Sequence, residues 1–274
     1  MPLADLVPPM LYRKLVGWRA AREPVYADYK AAAAARKADY HDPDLAAVVL
    51  EKTRRIRAID PWMGVGEHQA VATLLAVTTA VTATKAVGRP LRVLDFGGAF
   101  GTAYHMVRHA LPGDYQWAVV ETPTFARLGV TEDHPGLRLF DSIDDAVAWL
   151  GDVDLLYSSG AIQYLPDPLG TLDRLLEVRP ACTAWLRTAF STESEVVVLQ
   201  SSRLADNGPG PLPAQFKDAE VHYPRTYLPL AAFLQRFQPR YRLIIEYGDG
   251  TPTLTVGGQN LVVGQNYLFV RQGS

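Results

Sequence analysis

The 274-residue sequence holds a single cysteine, Cys182. One thiol excludes an intramolecular disulfide and any cysteine-rich zinc site. Cys182 opens an apolar run with no basic group nearby to activate a thiolate, so it reads as core. Charge of one sign is also missing. Twenty-seven Lys and Arg against 29 Asp and Glu leave a net charge of -2, which selects neither nucleic acid nor an anionic membrane as partner. Arg54, Arg55 and Arg57, near Glu51 and Asp60, read as a solvated helix face. The first nine residues have no charged start followed by an apolar stretch, so no signal peptide is expected. The greasiest region, Ala70 to Ala83, is too short and too rich in threonine to span a bilayer. A soluble cytoplasmic protein is the expectation. No internal repeat and no disordered linker stand out.

What is present suits a globular protein with a real core: 48% hydrophobic and 20% charged residues. The length fits one large domain, or one domain with a substantial cap. Residues 1–88 read as helical. Helices are expected over Val25 to Lys37, Pro43 to Arg57 (with Asp42 as its cap) and Glu67 to Ala86, with Gly64 and Gly66 breaking the pattern between the last two. From Leu91 short apolar runs alternate with amphipathic ones. Strands are expected at 91–95, 116–121, 137–140, 153–157 and 183–189. Helices are expected at 102–110, 123–128, 143–150 and 169–176. Such alternation predicts a parallel sheet covered on both faces. Farther on, 195–200 reads as an extra strand, 207–213 as a loop, 226–237 as a helix, and 241–247 and 265–270 as a closing strand pair. The expected division is a helical cap over residues 1–88 and a catalytic domain over 89–274.

The first predicted strand ends at Asp95 and runs into Phe96-Gly97-Gly98-Ala99-Phe100-Gly101. In an open parallel sheet, ligands bind at the C-terminal ends of the strands. A dinucleotide site would carry G-x-G-x-x-G, but counting from Gly97 the next two required positions are Ala99 and Thr102. Asp95 would repel a pyrophosphate and attract an ammonium. The segment therefore points to S-adenosylmethionine. Gly97, Gly98, Ala99 and Gly101 would cradle it. Glu121, with Thr122 after it, ends the second strand, where a carboxylate suits two ribose hydroxyls. Asp141 follows the third strand, at the expected adenine edge. Ser158, Ser159 and Gln163 follow the fourth, beside the reacting end.

On these residues the sequence resembles the LIC-type family of class I S-adenosylmethionine-dependent methyltransferases, found near polysaccharide and secondary-metabolite loci. The matching stretches are Val93 to Tyr104, Val119 to Glu121, Tyr157 to Pro168, Leu186 to Thr188 and Tyr223-Pro224, spread over about half the chain. Leu186 departs from the family pattern, where an acidic residue is expected, and the 191–213 stretch is longer than usual. The resemblance implies a Rossmann-like α/β fold with a mostly parallel, seven-stranded sheet. It implies methyl transfer to a small molecule. Enzymes resembling this family are also implied to cyclise S-adenosylmethionine itself, giving azetidine-2-carboxylate and methylthioadenosine.

Tyr164, Tyr104, Ser159 and Gln163 are the catalytic candidates. Phe100 and Tyr157 join the two tyrosines around the expected crevice, and Tyr26, Tyr29, Tyr40 and Trp62 lie in the cap. An aromatic face stabilises a sulfonium by about 0.5–2 kcal/mol when water is excluded. His222, Tyr223 and His68 are candidate bases, none sharply defined. His105 and His109 are spaced i, i+4 but lack further ligands, so no metal is expected. Asp95-Phe96-Gly97 spells a kinase metal triplet, yet no His-Arg-Asp loop accompanies it. Three readings stay open: methyl transfer, cyclisation of the cofactor, and a non-catalytic cofactor-binding protein. A small-molecule partner is expected, with homodimerisation left open.

Overall fold

A computed structural model describes residues 24–36, 42–59, 67–86, 88–132, 135–248, 253–256 and 259–273. Tyr40, Asp60, Trp62, Gly64 and Gly66 lie outside them, as does residue 87 and the first 23 residues. The described chain opens with β1 (Val25–Tyr26), α1 (Tyr29–Ala34), α2 (Pro43–Ile59) and α3 (Glu67–Thr84). The alternating segment follows: β2 (Leu91–Phe96), α4 (Thr102–Ala110), β3 (Tyr115–Val120), α5 (Pro123–Gly129), β4 (Leu137–Phe140), α6 (Ile143–Leu150), β5 (Leu155–Ser159), α7 (Pro168–Glu177) and β6 (Cys182–Ser191). Then come β7 (Val196–Arg203), β8 (Glu220–Pro229), α8 (Leu230–Gln235), β9 (Tyr241–Gly248), β10 (Leu254–Val256) and β11 (Gln259–Arg271). Among the described residues, no helix is long and apolar enough to cross a membrane.

Local chemistry sets several of these boundaries. The Asp167 side chain accepts from the Gly170 amide at 2.9 Å, and Pro168 starts α7 without wasting an amide. Ser142 caps α6 by accepting from the Asp145 amide. Asp42 accepts from the Asp44 amide at 2.8 Å before α2.

Among the described residues the sheet is mixed and has eleven strands. This corrects the expectation of a mostly parallel seven-stranded sheet. Its centre is still Rossmann-like: β4, β3, β2, β5 and β6 lie side by side and all parallel. β11 then pairs antiparallel with β6, and β9 antiparallel with β11. The excess comes from the other edge. Phe190 and Ser191 of β6 pair with Leu228 and Pro229 of β8, and β8 pairs antiparallel with β7, which β1 flanks.

Two helix expectations are corrected here. Residues 226–229 belong to β8, and only Leu230–Gln235 is helical. Val221, Tyr223, Thr226 and Tyr227 favour a strand once β7 offers a ladder, and Pro229 delays the helix. Residues 25–37 hold a short helix only, because Val25 and Tyr26 pair with β7 instead.

Each central strand sends alternate side chains to opposite faces. Val93, Trp117, Tyr157 and Ala184 join Leu45, Val48, Ala76 and Val77 of α2 and α3 in one core. Leu94, Ala118, Leu156 and Trp185 join Leu172 of α7 and Phe233 of α8 in the other. The N-terminal helices are therefore continuous with the sheet's own core.

A charged latch also holds α2 down. The buried Glu132 carboxylate accepts from Arg54 Nε at 2.9 Å and Nη2 at 2.7 Å, and from Arg57 Nη1 at 2.9 Å. Burial alone would lift this carboxyl, but the Arg54 hydrogen bond and the charges of Arg54 and Arg57 outweigh it and hold it below the usual range. A depressed folded-state value stabilises above the unfolded value near 4.5 and is lost as pH falls through it. Glu132→Gln is expected to cost about 1–3 kcal/mol at pH 7, since hydrogen bonds to charged groups are lost. Urea unfolding at pH 7 and pH 4 checks it. The gap between variant and parent should shrink on acidification, and a gap that stays constant would contradict the latch.

Candidate functional site

The order β3-β2-β5 places the chain reversal of a doubly wound sheet beside β2, where a crevice opens at the strands' C-terminal ends. A cavity of about 1160 Å³ lies there. Asp95, Gly97, Gly98, Ala99, Glu121, Asp141, Ser159, Gln163 and Tyr164 all line it.

Asp95 is completely buried at the end of β2. Its Oδ2 accepts from Trp117 Nε1 at 2.9 Å, while its Oδ1 has no hydrogen-bond partner. Burial pushes the carboxyl up to about 7 against the Trp117 hydrogen bond, and the charge of Glu121 adds to the rise. A buried carboxylate oxygen left without a donor is costly unless a ligand supplies one. Gly98 sits directly over this carboxylate, and a Cβ there would overlap it. Gly97 has φ of +75°, and a Cβ on it would collide with Ala161. Ala99 adopts φ of +50°, unusual for alanine.

That turn of Ala99 aims its amide at Glu121 Oε1, 3.0 Å away. Glu121 Oε2 accepts from the Thr122 amide at 3.0 Å. Burial raises this carboxyl also, opposed by those two amides. A carboxylate offers about four acceptor positions, so two backbone donors fix it and leave capacity for two hydroxyls. Thr122 itself begins α5 as its cap position. Gly101, expected in the cradle, does not line the cavity: it begins α4 in the left-handed region and packs on Leu137. Asp141 is exposed at the rim.

Past β5, Gln163 is 4% exposed and donates through Nε2 to the Arg187 carbonyl at 3.1 Å, while its Oε1 has no partner. Ser159 Oγ accepts from Arg187 Nε at 3.0 Å. Tyr164 donates its hydroxyl to Gln200 Oε1 at 2.9 Å and meets the Tyr223 ring edge-on at 5.6 Å. Tyr223 donates to Asn207 Oδ1 at 3.0 Å. Tyr29 reaches over from α1 and donates to the Tyr164 carbonyl at 2.8 Å. Below them Lys52, 1% exposed, donates to the carbonyls of Ala205 and Asn207, both at 2.7 Å. Burial lowers its affinity for the proton, but the fixed carbonyls give that charge its partners. The aromatic wall is thus built from α1, the turn after β5, and β8.

Some expected site residues lie elsewhere. Tyr104 is 1% exposed and does not line the cavity. A Cβ on Gly136 would lie 2.6 Å from its hydroxyl and 2.8 Å from the Tyr115 carbonyl, so the ring points to the opposite end of the sheet. Ser158 is buried and alternates away from Tyr157 and Ser159, onto the other face. Phe100 stacks on Phe125 at 5.1 Å, and Phe125 supplies the lining surface. Tyr157 does line the cavity, its hydroxyl paired with Thr73 Oγ1 at 2.8 Å. Tyr26, His68 and His222 do not line it, and His222 Nε2 lies 3.6 Å from Glu220. Among the described residues, no group of three or more His, Cys, Asp or Glu could hold a metal. Arg187, Gln200 and Asn207 were not singled out from sequence. Arg187 carried a signal as part of the Leu186-Arg187-Thr188 stretch.

No protein-family model matches the chain, and no curated protein sequence matches it. Several solved structures resemble it. An S-adenosylmethionine-dependent methyltransferase from Clostridium acetobutylicum is 9% identical over 81% of this chain and 96% of that one, with a TM-score of 0.47. The sugar N-methyltransferase KedS8 from Streptoalloteichus is 13% identical over 81% and 92%, with a TM-score of 0.44. The N-terminal domain of EvdMO1, solved in the presence of SAH and D-fucose, is 17% identical over 81% and 96%, with a TM-score of 0.41.

The raised Asp95 value carries a sign. Stability tied to it is fully present below the unfolded value of 3.8 and is lost as pH rises through about 7. Asp95→Asn is therefore expected to stabilise the ligand-free protein at pH 8 by about 1–4 kcal/mol, at about 1.4 kcal/mol per pKa unit, with no gain at pH 4. Denaturant titrations of both proteins at the two pH values decide this, and a variant less stable at pH 8 would refute it. Glu121→Ala should weaken S-adenosylhomocysteine binding about tenfold or more through lost hydrogen bonds to a charged group. Unchanged affinity in calorimetry would remove Glu121 from the ribose role.

Proposed function

We propose that this protein is an S-adenosylmethionine-dependent methyltransferase acting on a small molecule, with residues 1–88 contributing a cap over the site. The observation that carries the reading is the orphaned Asp95 Oδ1, buried beneath the Gly98 turn where an ammonium would meet it. The residues present fit the cofactor. Asp95 would take its ammonium, the backbone of Gly97 to Ala99 would approach it closely, Glu121 would take the ribose hydroxyls, and Asp141 stands at the adenine side. A pyrophosphate does not fit beside the carboxylates of Asp95 and Glu121.

When bound, S-adenosylmethionine supplies a methyl group already activated on a sulfonium. The protein's share is alignment, which can be worth about 7–11 kcal/mol when reacting atoms are held close. Gln163 Oε1 is a buried acceptor without a donor, suited to orient an N–H or O–H of the acceptor molecule. An amide takes no proton, so Gln163 positions rather than deprotonates. Tyr164 and Tyr223, locked by Gln200 and Asn207, present a rigid aromatic wall. Ser159 holds Arg187 in place.

The family resemblance also implies cyclisation of the cofactor, with methylthioadenosine and azetidine-2-carboxylate as products. The size of the cavity favours transfer. At about 1160 Å³ it exceeds the roughly 300–1,000 Å³ typical for one ligand, leaving room for a second molecule. Mass spectrometry separates the readings. Purified protein with S-adenosylmethionine alone should give no methylthioadenosine, and adding a mixed pool of small amines, phenols, sugars and amino or hydroxy acids should yield S-adenosylhomocysteine. Azetidine-2-carboxylate without any acceptor would overturn methyl transfer. Binding without turnover across the whole pool would favour a non-catalytic protein.

A further inference from the structure

The cavity is electrically two-sided. Asp95, Glu121 and Asp141, at the ends of β2, β3 and β4, make one side acidic. Arg187 on β6, Arg225 on β8 and Arg36 after α1 line the other together with Asp206, and Arg174 of α7, paired with Asp144, also lines the cavity. A sulfonium bearing an ammonium suits the first side. On the second side Arg187 offers a group suited to an anion.

Arg187 is built into that side by an unusual local structure. Its φ is +53°, in the left-handed region, inside a strand. A β-bulge between Gln265 and Tyr267 of β11 breaks the ladder there. Such a bend re-aims a side chain, and a non-glycine residue held at positive φ is strained unless its surroundings fix it there. Two nearly buried amides hold the distortion. Asn266 Oδ1 accepts the Arg187 amide at 3.1 Å, while Asn266 Nδ2 donates to the carbonyls of Tyr247 and Gly264. Gln163 Nε2 donates to the Arg187 carbonyl. The guanidinium lies over Gly160, where a Cβ would come within 3.1 Å of Nη2, and donates to Ser159 Oγ and carbonyl oxygen at 3.0 and 3.2 Å. None of its described hydrogen bonds goes to a carboxylate. A guanidinium fork held by neutral groups keeps its full charge for a ligand and is shaped for a carboxylate.

We infer that Arg187 is a specificity-determining residue that binds a carboxylate group of the methyl acceptor, with Gln163 taking a neighbouring donor of the same molecule. This rests on the methyltransferase reading for the word acceptor, but the binding of a carboxylate stands or falls separately. The methyl group would move to a nucleophilic atom beyond that anchored carboxylate, so the class of substrate is a small organic acid carrying an N–H or O–H.

The test uses the full chain and a panel of small aliphatic and aromatic carboxylic acids, each matched with its primary amide. Ligand-observed NMR reads binding with and without saturating S-adenosylhomocysteine. Acids should bind the parent protein about tenfold or more tightly than their amides. Arg187→Gln should lose that preference and keep its affinity for S-adenosylhomocysteine, and Arg187→Lys should recover part of it. Equal binding of acids and amides by the parent protein overturns the inference, whether or not the variant folds. So does an acid preference that persists in Arg187→Gln. A tenfold loss of S-adenosylhomocysteine affinity in Arg187→Gln with the acid preference intact would put the guanidinium on the cofactor's own carboxylate, which also overturns it. If the parent protein fails to bind S-adenosylhomocysteine yet prefers acids, the cofactor reading fails and the carboxylate site survives.

Discussion

One buried carboxylate governs the site. Asp95 is fully enclosed, bonded to Trp117 through one oxygen, with nothing donating to the other. An ion in such a place destabilises the protein that carries it, and burial accordingly lifts its proton affinity to about 7. The surroundings preserve the arrangement rather than relieve it. Trp117 comes from β3, the Gly98 backbone packs directly against the carboxylate, and Tyr157 and Trp117 seal its flank with rings 6.1 Å apart. Stability given up at one buried group is recovered when a cationic ligand binds there.

The rest of the cavity is arranged around that point. Glu121 is fixed by two backbone amides, one of them aimed by the left-handed turn at Ala99. The opposite wall comes from segments outside the central parallel strands. Tyr29 arrives from α1, Gln200 from β7, Tyr223 from β8, and the 205–208 loop is held by Lys52 of α2. In the proposed reading, cofactor binding falls to the regular α/β frame and acceptor binding to the additions to it. Arg187 stands at the join, where β6 leaves its parallel neighbour β5 and bulges against β11.

Much of the frame was legible because β-α alternation is a strong signal. The bounds of α4, β4 and α6 agree with the apolar spacing residue for residue, and the Asp95 turn could be placed from its glycines and acid alone. What escaped notice depends on tertiary context. Tyr104 is close to the glycine turn in sequence, yet the phase of α4 points it to the far end of the sheet. Ser158 and Ser159 look alike as letters, but strand alternation sends only Ser159 to the cavity. Residues 226–229 read as helix from their spacing and are strand because β7 supplies a ladder. The bulge at Arg187 has no local marker, since it is made by Asn266, 79 residues away.

The central claim is that Asp95 awaits an ammonium. Calorimetry of S-adenosylhomocysteine binding, in buffers of differing ionisation enthalpy, counts protons exchanged on binding. Below pH 7 the free protein holds a proton on Asp95 that the ammonium must expel, so binding at pH 6 should release close to one proton. Above pH 8 Asp95 is already ionised while the ligand's amine is partly neutral, so release should vanish and turn to uptake. Binding with no proton released at pH 6 would contradict the account.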